Sequence, residues 1–148
     1  MNSHPYILVV FLRDLPKGYE FERWPHHITL LPWFKADREA LESLADLAGQ
    51  YLPMTVEMTK TANFGVRDDI LVRLVESDAL VSLHKKMLSN RDGILGLANG
   101  RYVGEEFKPH VTLQGKNDPE PGSIAINRIS LIKHTGSGHI KRVERIFG

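Results

Sequence analysis

Hydrophobic residues run along this chain in short stretches whose period changes from two to three or four and back. Tyr6 to Leu12 is apolar and β-branched enough for a buried strand. Asp14 to Trp24 is polar, carries Pro16 and Gly18, and predicts a loop. A second strand is expected from His27 to Phe34, with Pro32 ending it or placing its last turn at an edge. Asp37 is a suitable N-cap for a helix in which Leu41, Leu44, Ala45 and Ala48 share one face, and Gly49 is expected to end it.

The same sequence of signals then recurs. Met54 to Thr59 and Ile70 to Val75 predict two strands around a turn at Asn63 to Asp69. Ser77 can cap a second helix with Leu80, Leu83 and Met87 on one face, closed by Asn90 to Gly93. Gly93 to Gly104 is glycine-rich and loop-like, and its glycines precede no Lys-Ser/Thr pair of the phosphate-loop kind. Strands follow at Pro109 to Gln114, Ile124 to Lys133 and His139 to Phe147, with a turn at Asp118 to Gly122 and the last two strands forming a hairpin. The order β-β-α-β-β-α-β-β-β lacks the βαβα rhythm of a doubly wound sheet. It predicts an α+β fold of two strand groups, each covered by a helix, within one unit spanning residues 1–148.

Composition narrows the chemistry. With no cysteine among 148 residues, disulfide scaffolds, thiolate nucleophiles and cysteine metal sites are excluded, and a reducing cytoplasm is the simplest compartment. The apolar stretch near the start is only strand-length and meets Arg13-Asp14 at once, so neither a signal peptide nor a membrane span is expected. The net charge of +1 conceals an asymmetry: residues 1–106 hold 12 Lys/Arg against 15 Asp/Glu, and residues 107–148 hold 7 against 3. That mild basic bias suits a phosphate ligand better than it suits a tight duplex binder.

One internal repeat stands out: His27-Ile28-Thr29-Leu30 and His110-Val111-Thr112-Leu113. In a strand, residues i and i+2 share a face. His27 pairs with Thr29 on one side and His110 with Thr112, while Ile28, Leu30, Val111 and Leu113 point into the core. Two imidazoles converging on one cleft can serve as proton acceptor and donor near pH 7, and the two hydroxyls can orient phosphoryl oxygens. That scheme needs neither metal nor other cofactor, and the remaining histidines (His4, His84, His134, His139) follow no compact ligand spacing. His26 should point away from His27 and act as a packed or rim residue.

These motifs resemble the 2H phosphoesterase superfamily, which includes the RNA 2′,3′-cyclic phosphodiesterases called 2′-5′ RNA ligases and is named for two His-hydrophobic-Thr/Ser motifs. Phe107 and Pro109 match the aromatic and proline that commonly precede the second motif. The resemblance implies two pseudo-symmetric lobes of antiparallel strands, helices on their outer faces, and a central V-shaped cleft. It implies a metal-independent phosphodiesterase with His27 as acid and His110 as base, acting on an RNA or nucleotide that ends in a cyclic phosphate, or on a related 2′-5′ linkage. No membrane or protein partner is implied. Many members carry a basic residue soon after the second motif; here Gly115 stands there and Lys116 comes one place later.

Weaker substrate contacts are expected from Tyr102, Phe107 and Lys116, with Trp33, Phe34 and Phe64 as further stacking candidates and Arg101, Lys108 and Lys133 as further phosphate contacts. The alternative function is an RNA- or nucleotide-binding module with negligible turnover, which would use the histidines only as donors to phosphate.

Overall fold

A computed structural model describes residues 4–89, 94–95 and 103–148. The predicted closure at Asn90 to Gly93, most of the glycine-rich loop, Arg101 and Tyr102 lie outside those residues. The described strands are β1 (Tyr6–Phe11), β2 (Glu20–Phe21), β3 (His27–Ala36), β4 (Met54–Phe64), β5 (Ile70–Glu76), β6 (Ile94–Leu95), β7 (His110–Thr112), β8 (Gly122–Ile126), β9 (Ile129–His134) and β10 (Lys141–Phe147). The helices are α1 (Arg38–Tyr51) and α2 (Asp78–Ser89). All strand pairs are antiparallel, in the order β2-β10-β9-β1-β3-β7-β5-β4-β8, with β6 added to β3.

Both helices start where their caps predict. Asp37 Oδ1 accepts from the Ala40 N–H at 2.8 Å, and Ser77 Oγ accepts from the Leu80 N–H at 3.0 Å. α1 buries Ala40, Leu44 and Ala48; α2 buries Leu80, Leu83, His84 and Met87. Gly49 does not end α1, because a helical glycine costs only about 1 kcal/mol and the last turn holds its bonds. The helix stops at Tyr51, where Leu52 still donates to Ala48 and Pro53 has no N–H to continue.

Pro32 does not end β3 either. Leu8 sits opposite Leu31 and Tyr6 opposite Phe34, so two steps along β1 meet three along β3. Pro32 lies within that bulge, where the ladder is already interrupted. The expected single strand over 124–133 is two strands: β8 pairs with β4, whereas β9 pairs with β1 and β10. The chain changes neighbours at Asn127-Arg128. β2 falls in the expected loop at 14–24, where Phe21 and Glu20 pair with Lys141 and Arg142.

The sheet has an apolar cluster on each side. Leu8, Val10, Ile28, Leu30 and Val111 join Leu44, Ala48, Leu80, Leu83 and Met87 beneath the helices. On the other face, Ile7, Val9, Leu15, Phe21, Ile132 and Val143 pack with Phe11, Trp24 and Trp33. Full burial of each large aliphatic side chain contributes about 1.5–3 kcal/mol, so the fixed points of β3 and β7 are Ile28 and Val111, both 0% exposed. Among the described residues, no helix is long and apolar enough to cross a membrane.

Candidate functional site

β3 and β7 lie side by side, and Ile28 pairs with Val111. Antiparallel register extended one residue each way sets His27 opposite Thr112 and Thr29 opposite His110. Since Ile28 and Val111 point into the helix-covered core, the two histidines and two threonines share the opposite face. The repeated motif thus forms a local twofold, in which each imidazole has the other motif's threonine as its cross-strand neighbour. β7 is held on its far side by β5, where Leu74, Arg73 and Val72 face His110, Val111 and Thr112.

The two imidazoles are oriented in the same way. His27 Nδ1 lies 2.8 Å from the Pro25 carbonyl, and His110 Nδ1 lies 2.7 Å from the Lys108 carbonyl. A carbonyl only accepts, so each Nδ1 carries the hydrogen and each Nε2 is the basic nitrogen. Aromatic rings flank both. Trp24 stands 4.4 Å from His27, centroid to centroid, and Phe64 meets His110 edge-on at 4.6 Å.

Burial pushes His27 down to about 4; the Pro25 carbonyl opposes that shift, and the nearby His110 and His26 imidazoles add to it. Burial also lowers His110, against the pull of the Lys108 carbonyl. His27 and His110 stand on neighbouring strands and share one face of the sheet. Such a pair can transfer protons at two points on one ligand.

The other expected contacts are placed differently. Phe107 stacks on His84 at 3.8 Å and 9° and packs against the helix-side core, so a ring face expected to take a base is given to the protein's own histidine. Lys116 lines a hollow of about 560 Å³ with Arg13, Pro25, His26 and Gln114, and the motif histidines are not part of that lining. Phe34 is fully buried. Trp33 belongs to the aromatic cluster around Trp24, and the Lys108 side chain is exposed. His26 pairs with Asp118 at 2.8 Å.

Trp24 and Asp118 escape a reading of the sequence. Trp24 is signalled only by standing before Pro25-His26-His27, and Asp118 reads as an ordinary turn residue. Among the described residues, no three His, Asp or Glu side chains gather as a metal-ligand set.

An antiparallel sheet backed by two helices, with two His-x-Thr strands paired at its centre, defines a LigT-like fold. Residues 9–144 match the family model of the 2′-5′ RNA ligase superfamily, and the chain belongs to that superfamily of 2H phosphoesterases. Among solved structures it resembles E. coli LigT complexed with phosphate, with TM-score 0.58, 16% identity, and 98% of each chain covered. It also resembles E. coli LigT complexed with 3′-AMP, with TM-score 0.52, 19% identity, and 94% of this chain and 92% of that one covered. A third structure, described as a phosphoesterase, gives TM-score 0.57 at 18% identity, covering 99% of this chain and 95% of the other. Comparison with curated protein sequences gave no match.

Proposed function

We propose that this chain is a phosphodiesterase that opens the 2′,3′-cyclic phosphate of an RNA end or nucleotide, using His27 and His110 as its proton-transfer pair. The observation that carries this reading is the pairing of β3 with β7, which sets both imidazoles on one face with matched Nδ1 bonds. In the reaction, a water oxygen attacks phosphorus while one Nε2 takes its proton. The bond from phosphorus to one ribose oxygen breaks, and the other imidazole protonates that oxygen. Thr29 and Thr112 donate to the non-bridging oxygens. With a ribose 5′-hydroxyl in place of water, the same pair would join ends: that oxygen attacks phosphorus as one Nε2 takes its proton, and the other imidazole protonates the ribose oxygen that departs.

In this reading the sheet halves on either side of the β3–β7 seam act as two lobes of a single domain, and the ligand lies in a cleft between them. The E. coli LigT complexes with phosphate and 3′-AMP support a phosphate-bearing ligand for a fold of this kind.

The test is turnover of 2′,3′-cyclic AMP and of a short RNA ending in a cyclic phosphate. His27→Ala and His110→Ala should each lose roughly a hundred- to ten-thousandfold in kcat. The double variant should lose much less than the product of the two, because the pair acts as a unit. Thr29→Ala and Thr112→Ala, each removing a hydrogen bond and no proton carrier, should lose less than either histidine variant. His139→Ala, at an exposed position, is the control. Near-normal turnover in a folded His27→Ala or His110→Ala protein would overturn the mechanism, and ligand binding without turnover in the unaltered protein would favour a binding module.

A further inference from the structure

One carboxylate fastens the segment before β3 to the turn after β7. Asp118 Oδ1 accepts from His26 Nε2 at 2.8 Å and from the Gln114 N–H at 2.7 Å, while Oδ2 accepts from the Gly115 N–H at 2.9 Å. Gln114 then donates its own side-chain N–H to the Trp24 carbonyl at 2.9 Å. Two of these bonds join parts of the chain that are 92 and 90 residues apart.

The bonds converge on the catalytic pair. Residues 24 to 26 each hold something next to His27. The Trp24 ring packs 4.4 Å from the imidazole, the Pro25 carbonyl binds its Nδ1, and His26 reaches Asp118. The β3–β7 ladder that sets the distance between His27 and His110 is short, because β7 has only three residues. A turn held for its own sake explains the Gln114 and Gly115 N–H bonds, since an Asp side chain commonly caps such a turn. It does not explain the bonds to His26 and Trp24, which leave the turn and end on the segment just before the other motif. The His26 and Asp118 side chains are 15% and 25% exposed, enough shielding for a charge-assisted bond to hold its geometry.

The geometry points to Asp118 as a positioning residue of the two-histidine site, acting through His26 and Gln114 to hold the Trp24–His27 segment against the strand that carries His110. This rests on the phosphodiesterase reading for its kinetic consequence and on the hydrogen bonds alone for its structural one. A displacement of about 1 Å in a reacting group can cost a hundredfold in rate. Loss of the clasp should therefore appear in kcat and leave substrate affinity nearly intact.

The experiment compares Asp118→Ala, His26→Phe, His26→Gln and the His26→Phe/Asp118→Ala double variant. Each is assayed for kcat and KM on 2′,3′-cyclic AMP and by NMR for the His27 and His110 ring signals. Asp118→Ala and His26→Phe should lower kcat roughly ten- to a hundredfold with KM changed by less than about threefold. The double variant should be no slower than Asp118→Ala, because both substitutions break one linkage. His26→Gln places an amide N–H near the former Nε2 and should return kcat to within about threefold of the unaltered protein. Both imidazole signals should move in Asp118→Ala and His26→Phe and return in His26→Gln. If Asp118→Ala does not fold, the His26→Phe and His26→Gln pair decides the matter. Folded Asp118→Ala and His26→Phe proteins with normal kcat and unmoved ring signals would overturn the assignment, as would equal losses in His26→Phe and His26→Gln. An unaltered protein that turns over no cyclic phosphate, with ring signals that still follow the clasp, would instead remove the phosphodiesterase reading and leave the positioning role standing.

Discussion

Placing a dianion between the two imidazoles should return a proton to His27. In the free chain burial holds this ring at about 4, against an ordinary value of 6.5, so the imidazolium is disfavoured by about 3 kcal/mol. At pH 7 only about one molecule in a thousand then carries that proton. An oxyanion about 4 Å away, in surroundings of effective dielectric near 20, attracts the imidazolium by about 4 kcal/mol. The two terms are close in size, so an occupied site should bring His27 back to about 6.5 or slightly above. Sulfate is the cleanest probe, because its charge is constant across the range. The assay is a titration of the imidazole signals by NMR from pH 4 to 8, with and without saturating sulfate, at ionic strength matched with chloride. The His27 midpoint should rise by about two units or more, and sulfate affinity should strengthen about tenfold for each unit that pH falls between 6.5 and 4. Because burial lowers both rings in the free protein, the kcat/KM profile should be a bell on the acid side of 6.5, and the kcat profile should lie at higher pH. A His27 midpoint that stays near 4 while sulfate moves the His110 signal would refute the reasoning.

Two further outcomes follow from neighbouring chemistry. His84 is fully buried, its Nδ1–H donates to the Leu30 carbonyl at 2.7 Å, and its Nε2 accepts from the Gly104 N–H at 2.9 Å, so only the neutral ring satisfies both partners. His84→Leu should cost about 2–4 kcal/mol in urea unfolding at pH 7.5, since it strands a carbonyl and an N–H. Burial lowers the pKa of His84, so the unfolded chain binds more protons; this share of stability is complete above 6.5 and declines as pH falls, and the variant should show a flatter loss between pH 6.5 and 5. Turnover should survive exhaustive chelation, because in the proposed mechanism the two imidazoles supply both proton transfers; loss on chelation, restored by one divalent ion, would show that the chemistry has been misread.

What the sequence made legible was local. Asp37 and Ser77 announce their helices because a cap bonds three residues ahead, within reach of any reader of spacing. The alternation in His27 to Leu30 likewise foretells which side chains share a face. Apart from Gly49, whose cost inside a helix is small enough for α1 to continue, the misses depend on partners far along the chain. Pro32 sits inside a strand because β1 supplies a register with a bulge at that point. Apolar and polar positions continue through Ile124 to Lys133, yet one half belongs beside β4 and the other beside β1. Trp24 and Asp118 look like loop residues until the fold brings the two motifs together, and only then does each acquire a neighbour about 90 residues away.

The repeat is symmetric in register but not in surroundings, and the proposed acid–base mechanism needs that asymmetry. Two identical imidazoles would compete for one proton with no preference; an acid–base pair requires environments that separate them. His27 carries the Trp24 ring beside it, with the Phe11 ring edge-on at 6.3 Å, and burial pushes it to about 4. His110 meets Phe64 on one edge, on a strand of three residues, and burial lowers it against the pull of the Lys108 carbonyl. Held at about 4, His27 is neutral at pH 7 in the free protein and able to accept a proton. The family resemblance implies the opposite roles during hydrolysis, with His27 as acid. The two statements are compatible only if the ligand's charge returns a proton to His27, because a phosphoryl oxygen placed nearer to His27 favours its imidazolium by about as much as burial opposes it. The sulfate titration separates the cases. A His27 midpoint that overtakes that of His110 assigns the acid to β3, and a midpoint that rises but stays below it assigns the acid to β7.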